Sequence, residues 1–143
     1  MNTNNFNSAA NCIWLFLSIL TMKIDKQIEV IGGLPKYKES TYEQRVDNGA
    51  NYMLHIFDVR HVGWIDEFEP CPEFEIFLNI VRAMPLEQSY EDFVDGDEWK
   101  RMRQQALLVL NEAGLSACEI PPGKIRFSEY TEILLANGGV LDD

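Results

Sequence analysis

Carboxylate side chains are the strongest chemical signal in this chain. Eleven Asp and Glu residues lie between residues 66 and 98, where Arg82 is the only base. This block has a net charge of −10, out of −11 for the whole chain. Charge concentrated in this way attracts oppositely charged partners and raises their rate of encounter. The block is therefore the first place to look for a binding site.

Five acids of the block have a predicted local role. Glu73 and Glu75 fall in the first turn of a predicted helix, where the helix dipole favours negative charge. Asp95 and Glu98 stand at capping-box spacing. Asp97 lies four residues before Arg101 on the same predicted helix, which is the spacing of an ion pair. The other six acids lack such a role, and we predict that they bind the partner: Asp66, Glu67, Glu69, Glu87, Glu91 and Asp92.

A calcium loop is the first metal site to consider in this block. Placing Gly96 at position six of an EF-hand loop puts Phe93 and Met102 at positions three and twelve, where oxygen ligands are required. The two histidines, His55 and His61, lie on a predicted strand, where six residues span roughly 20 Å, too far for one shared metal ion. We therefore predict no metal and no cofactor, and we interpret the glycine-containing segment as a loop with a helix cap.

Nucleophilic catalysis has little basis in the sequence. Cys71 and His61 are a conceivable thiol–imidazole dyad, but Pro70 and Pro72 bracket the cysteine, and no third group orients the histidine. There is no serine in a nucleophile elbow and no glycine-rich phosphate loop. The compact basic cluster at residues 100–103 directly follows the acidic block, which indicates internal neutralisation. We predict no catalytic residue.

Length and composition limit the class of protein. The chain has 143 residues, 46% of them apolar, which is enough for one domain with a buried core. A pI near 4.5 disfavours direct binding to nucleic-acid phosphates or to anionic membranes, since these carry the same charge. Three widely spaced cysteines without a C-x-x-C pair predict no disulfide framework, so the expected compartment is the reducing cytoplasm.

Residues 1–21 form a separate apolar N-terminal segment. The uncharged run at residues 12–22 lacks the basic flank of a signal peptide and is about half as long as a membrane span, so we expect neither export nor anchoring. Apolar residues from Ile13 to Ile31 predict one face of a helix that ends at Gly32-Gly33. Alternatively, the segment is an upstream extension, and residues 27–31 form a strand.

The centre of the sequence predicts a β-strand. Residues 32–51 are rich in turn-forming residues and predict mainly loop. Residues 52–62 follow directly, and they are rich in β-branched and aromatic side chains with an apolar centre. This composition is typical of a central strand that is buried on both faces.

Helices surround this predicted strand. They are predicted from Pro72 to Pro85, from Asp97 to Ala113 and after Ser128, with a short edge strand at residues 124–127. The predicted architecture is a single globular α+β domain over residues 22–143, in which a small sheet is packed by three or four helices.

Together these features predict a small acidic cytoplasmic protein, without enzymatic activity, whose acidic face at residues 66–98 binds a basic protein. Nuclease inhibitors, immunity proteins and mimics of nucleic acid use the same electrostatic logic, and the comparison with them is an analogy. A second hypothesis is a self-associating or small-ligand-binding domain whose acids only keep the surface soluble. The apolar N-terminal segment and four aromatic residues would then form a dimer seam or a pocket: Trp64, Phe68, Phe74 and Phe77. A third hypothesis is an enzyme that depends on carboxylates or a divalent metal.

Overall fold

Helices provide all the regular structure in the described part of the chain. A computed structural model describes residues 7–31, 42–85, 87–120 and 130–138. These residues contain seven α-helices: α1 (Ser8–Leu20), α2 (Ile24–Ile31), α3 (Tyr42–Glu67), α4 (Pro72–Ala83), α5 (Tyr90–Asp95), α6 (Asp97–Ala113) and α7 (Tyr130–Ala136). Since none of the described residues forms a strand, the predicted α+β fold with a small sheet is wrong, and the described chain is all-helical.

Residues 52–62, predicted as the central strand, lie in the middle of α3. The buried apolar residues of this helix recur at helical spacing: Ala50, Met53, Ile56, Phe57 and Trp64. Gly49, one of the turn-forming residues before the predicted strand, also lies inside α3, where a Cβ would clash with the backbone carbonyl of Ile31. Tertiary packing therefore overrides the β propensity of the segment. The loop predicted over residues 32–51 is likewise wrong from Tyr42 onward.

The apolar N-terminal run forms α1, a central helix that packs against α2, α3 and α6. A helix that is apolar all round must be surrounded by other apolar groups. The side chains of α1 are accordingly buried on every side of the helix: Ala10, Ile13, Trp14, Leu15, Phe16, Leu17, Ile19 and Leu20. No helix of the described residues is long and apolar enough to cross a membrane.

The helix predicted from Ile13 to Ile31 is interrupted. The chain leaves α1 after Leu20 and, after three intervening residues, resumes as α2 at Ile24. Gln27 stabilises this break, because its side-chain Nε2 donates to the carbonyl of Leu20, the last residue of α1, at 3.2 Å and to that of Met22, between the two helices, at 2.7 Å. The alternative strand at residues 27–31 is wrong, and the predicted stop at residues 32–33 lies outside the described residues.

Three helix predictions are confirmed. The helix α4 begins with Pro72 in its first turn, and α6 runs from Asp97 to Ala113 and ends at Gly114, whose φ of 70° is the left-handed conformation that glycine adopts readily. The last predicted helix is α7. Its predicted cap, Ser128, and the predicted edge strand at residues 124–127 lie outside the described residues.

The acidic segment before α6 differs from its prediction. Residues 90–95 form the short helix α5 instead of a loop. The capping box belongs to this helix: the side chain of Ser89 accepts from the backbone N–H of Asp92, and the Asp92 carboxylate accepts from the backbone N–H of Ser89. The N-cap of α6 is Gly96, which has no side-chain cap, so the predicted cap of Asp95 and Glu98 is wrong.

Aromatic contacts show that α3 and α4 are antiparallel. The ring centroids of Phe57 and Phe77 are 4.7 Å apart, and those of Trp64 and Phe74 are 5.6 Å apart. Later residues of α3 therefore meet earlier residues of α4. Residues 68–71 connect the two helices through a cis peptide bond at Pro70.

The helix α6 lies antiparallel to α4 on its other side. The side-chain Nε2 of Gln105 donates to the carbonyl of Glu73 at 2.8 Å, and the backbone N–H of Glu73 donates to the carboxylate of Glu112 at 3.2 Å. The start of α4 is thus next to the second half of α6. We call this side of the molecule the proline-loop end (residues 66–75 and Glu112), and the opposite side the α5 end (residues 87–98).

Candidate functional site

The six carboxylates predicted to bind a partner do not form one surface. All six are exposed. Three lie at the proline-loop end, namely Asp66, Glu67 and Glu69, and three at the α5 end, namely Glu87, Glu91 and Asp92. Between them lies α4, whose 12 residues extend roughly 18 Å at the usual helical rise. The block that is continuous in sequence is therefore divided into two acidic surfaces by the fold.

Two of the six have a structural role that the sequence did not reveal. Glu67 accepts hydrogen bonds from the side-chain Nδ2 of Asn7 at 3.1 Å and from its backbone N–H at 3.3 Å, which joins the end of α3 to the start of α1. Asp92 belongs to the capping box of α5. The remaining four are Asp66, Glu69, Glu87 and Glu91.

The proline-loop end contains an open cleft of about 570 Å³, which we call the acidic cleft. Its lining combines two carboxylates with apolar and thiol groups: Ile65, Glu69, Pro70, Cys71, Pro72 and Glu75. Within the described residues, no hydrogen bond or ion pair engages the carboxylates of Glu69, Glu75 or the nearby Asp66. These carboxylates are therefore accessible to a cationic group.

The pKa of the Cys71 thiol reflects the negative charge at this cleft. Burial raises the pKa of Cys71, and the carboxylates of Glu112, Glu75 and Glu69 raise it further. A thiol with a raised pKa is mostly protonated at neutral pH, which makes it a poor nucleophile. Cys71 is a free thiol.

The hypothetical dyad of Cys71 and His61 is not formed. The Nδ1 atom of His61 lies 2.6 Å from the carbonyl oxygen of Asp58, and its Nε2 atom lies 3.5 Å from Nη2 of Arg82. The two ring nitrogens therefore face the Asp58 carbonyl and the Arg82 guanidinium, and not the Cys71 thiol. This arrangement gives no support to thiol catalysis.

The acidic segment before α6 does not resemble a calcium loop. Residues 90–95 are helical, so their carboxylates project from a helix instead of converging on one point. Among the described residues, there is no group of three or more His, Cys, Asp or Glu side chains that could hold a metal ion. His55 and His61 lie on α3, about 9 Å apart along the helix axis, and not on the predicted strand.

The basic cluster at residues 100–103 is not neutralised by the adjacent acids in the predicted way. Asp97 forms no ion pair with Arg101. Arg103 instead donates from Nε to Oε1 of Gln27 at 2.9 Å and from Nη2 to the carbonyl of Phe93. Its guanidinium carbon lies 4.8 Å from the centre of the Phe93 ring. The role of Arg103 is therefore structural.

A second concave site involves residues that sequence reasoning did not assign to a site. It is a groove of about 300 Å³ between α3 and the end of α4, which we call the α3–α4 groove. One wall comes from α3: Asn51, Leu54, His55 and Asp58. The other comes from the last turn of α4 and the residues after it: Val81, Arg82, Met84 and Pro85. The α3 residues follow the i, i+3, i+4, i+7 pattern, which a helical interpretation of residues 51–58 would have placed on one face.

The aromatic residues considered for a dimer seam are core residues. Trp64, Phe74 and Phe77 are fully buried within the chain, and Phe68 packs against Trp64 with ring centroids 4.4 Å apart. They therefore do not line an exposed seam, and a homodimer remains a prediction without a described interface.

Comparison of the chain with models of protein families, with characterised proteins and with solved structures finds no match. The function of this chain is therefore inferred from its own residues and geometry.

Proposed function

We propose that this protein is a non-enzymatic binding protein that holds a lysine- or arginine-bearing segment of a partner protein in the acidic cleft. The supporting observation is that concavity and accessible carboxylates coincide there. Glu69 and Glu75 line the cleft, and neither has a charged partner among the described residues. A lysine or arginine in the cleft would provide that partner.

The apolar part of the lining fits the same type of ligand. Lysine and arginine carry an aliphatic stem below the charged head, and such stems pack along apolar surfaces. Ile65, Pro70 and Pro72 offer such a surface beside the carboxylates. A basic side chain therefore matches the cleft better than a small inorganic cation, which would use the carboxylates alone.

The second acidic surface has a different role in this proposal. Glu87 and Glu91 are exposed at the α5 end, but they do not line either of the two concave sites described above. Their charge adds to the long-range attraction that brings a basic partner to the protein, whereas the cleft provides the contact. Removing charge at the two ends therefore has different expected effects.

A charge-neutralising pair of variants tests this proposal. The probe is a fluorescent hexalysine peptide, titrated into the full chain and followed by fluorescence anisotropy at physiological ionic strength, where the Debye length is about 8 Å. We expect Glu69→Gln/Glu75→Gln to raise Kd by about fivefold or more, because the direct contacts are lost. The matched control, Glu87→Gln/Glu91→Gln, removes the same charge at the other end and should raise Kd by less than about twofold.

Amide chemical shifts of the unmodified protein locate the binding site independently of any variant. Shifts on addition of hexalysine should concentrate in residues 65–75 and near Glu112. Equal weakening by both double variants, or shifts centred on residues 87–98, would show that hexalysine responds only to net charge. Either result would overturn the proposal.

A further inference from the structure

The α3–α4 groove has two opposite charges on its rim and an apolar floor. Arg82 and Asp58 are exposed, whereas Val81 and Met84 are 7% and 8% exposed. Among the described residues, neither Arg82 nor the Asp58 carboxylate takes part in an ion pair. A cation and an anion that face the same groove without neutralising each other are both accessible to one small ligand.

His61 positions the guanidinium of Arg82. Its Nδ1 atom lies 2.6 Å from the carbonyl oxygen of Asp58, so the proton on Nδ1 is donated to the backbone. The Nε2 atom is then the acceptor that faces Nη2 of Arg82 at 3.5 Å. Arginine has five N–H donors in a rigid plane. One of them faces the imidazole, and the others can serve a ligand.

The opposite wall is fixed by a pair of hydrogen bonds. The Oδ1 atom of Asn51 accepts from the backbone N–H of Gln88 at 2.8 Å, and its Nδ2 atom donates to the carbonyl of Gln88 at 3.2 Å. This exchange joins α3 to the chain after α4 next to the groove. The shape of the groove is therefore determined by the fold before any ligand binds.

A ligand with a single charge fits this groove poorly. A simple anion that pairs with Arg82 would meet the negative charge of Asp58, and a simple cation that pairs with Asp58 would meet Arg82. A molecule with a carboxylate and an ammonium group satisfies both residues. The apolar floor calls for a third feature, a short aliphatic side chain.

We propose that the α3–α4 groove binds a free amino acid with an aliphatic side chain. Arg82 receives the α-carboxylate through paired N–H donors, the geometry that arginine favours for carboxylates. Asp58 receives the α-ammonium group, and the side chain lies on Leu54, Val81 and Met84. The groove volume of about 300 Å³ is at the lower end of the range for small-molecule sites, which suits a ligand of this size.

Three ligands of the same shape test the assignment on the unmodified protein. L-leucine carries both charges, L-leucinamide lacks the carboxylate, and 4-methylpentanoate lacks the ammonium group. Each is titrated into the full chain labelled with ¹⁵N, and amide shifts are followed. We expect saturable shifts in residues 51–58 and 81–85 with leucine, and binding at least about tenfold weaker with each analogue.

Single substitutions test the two charged residues. Arg82→Gln and Asp58→Asn should each weaken leucine binding by about tenfold or more. The control Arg60→Gln removes an exposed arginine of α3 that does not line the groove, and it should leave Kd unchanged. Circular dichroism and thermal melting of each variant check the fold, while the ligand series on the unmodified protein does not depend on that check.

The inference fails if leucine gives no saturable shifts up to about 20 mM. It also fails if leucinamide or 4-methylpentanoate binds as well as leucine, or if Arg82→Gln behaves like Arg60→Gln. It is independent of the proposed binding of basic segments, because Glu69→Gln/Glu75→Gln changes the other concave site and should leave leucine binding intact.

Discussion

Arg103 is the residue that most clearly joins separate helices in this structure. It extends from α6 to Gln27 of α2 and to Phe93 of α5, and it lies over the rings of Phe93 and Trp99. Burial lowers the pKa of Arg103 to about 10, so the guanidinium still carries its charge at neutral pH. A charged group in this position is stabilising because its donors meet carbonyl oxygens and its face meets aromatic rings.

Replacing Arg103 with methionine should therefore lower the free energy of unfolding. Arg103→Met keeps much of the aliphatic packing but leaves Oε1 of Gln27 and the carbonyl of Phe93 without this donor. We expect a loss of about 2–4 kcal/mol, from charged hydrogen bonds and cation–π contacts of ordinary size. Urea unfolding measures it.

The neighbouring Arg101→Met is the matched control, because Arg101 is exposed on the same helix. It should change stability by less than about 0.5 kcal/mol. Similar losses for the two variants would show that the contacts of Arg103 do not contribute to stability.

At the residue scale, the six acids predicted to bind a partner have an exposure that a binding role requires, but local pattern did not predict their contacts. All six acids singled out for binding are exposed. Glu67 and Asp92, however, serve as hydrogen-bond acceptors for Asn7 and Ser89. The first of these contacts spans 60 residues of sequence, so no local pattern could have revealed it.

At the scale of elements, the strand prediction for residues 52–62 of α3 is wrong because the composition and the periodicity of this segment favour different structures. Its β-branched and aromatic residues favour a strand, whereas its apolar residues recur at helical spacing. On a strand, His55 and Asp58 would point to opposite faces, whereas α3 places both of them on one wall of the α3–α4 groove. By contrast, α4 and α6 carry local start and stop signals in Pro72 and Gly114, and both were predicted correctly.

Close approach of α1 and α3 depends on a glycine. A Cβ on Gly63 would lie 2.5 Å from Cβ of Ala9 and 2.8 Å from Oδ1 of Asn7. The Asn7 side chain caps α1 through the N–H of Ala10 at 2.8 Å and donates to the carbonyl of Gly63 at 3.1 Å. The junction therefore combines a helix cap with a helix contact that has no room for a methyl group.

Gly63→Ala should destabilise the protein, although alanine is normally the better residue in a helix. We expect a loss of about 1–3 kcal/mol from the forced separation of α1 and α3, which exceeds the usual gain of about 1 kcal/mol for this change. Thermal or urea unfolding measures it. Ala9→Gly provides the partner for a double-mutant cycle, because it removes the nearer methyl group.

In that cycle, Ala9→Gly should be less costly in the Gly63→Ala background than in the unmodified protein. Strictly additive effects would mean that the two positions do not share the contact inferred here.

At the scale of the whole molecule, the fold divides the acidic block and so limits its repulsion. Each end of α4 carries part of the charge, and the roughly 18 Å between the ends exceeds the Debye length of about 8 Å at physiological ionic strength. The two ends therefore interact weakly at that ionic strength and more strongly when salt is removed. The total charge was predictable from composition, whereas its division followed only from the helix order.

Salt should accordingly stabilise this protein. At pH 7 the chain carries a net charge of −11, and self-repulsion of like charges destabilises the compact state. Raising NaCl from about 10 mM to about 300 mM shortens the Debye length severalfold and screens this repulsion. If the free energy of unfolding rises by about 1 kcal/mol, Tm rises by roughly 3–5 °C for a chain of this size.

The same titration near pH 4.5, where the net charge approaches zero, is the control and should show little change in Tm. A fall in Tm at pH 7, or an equal rise at both pH values, would mean that repulsion among the carboxylates does not limit stability.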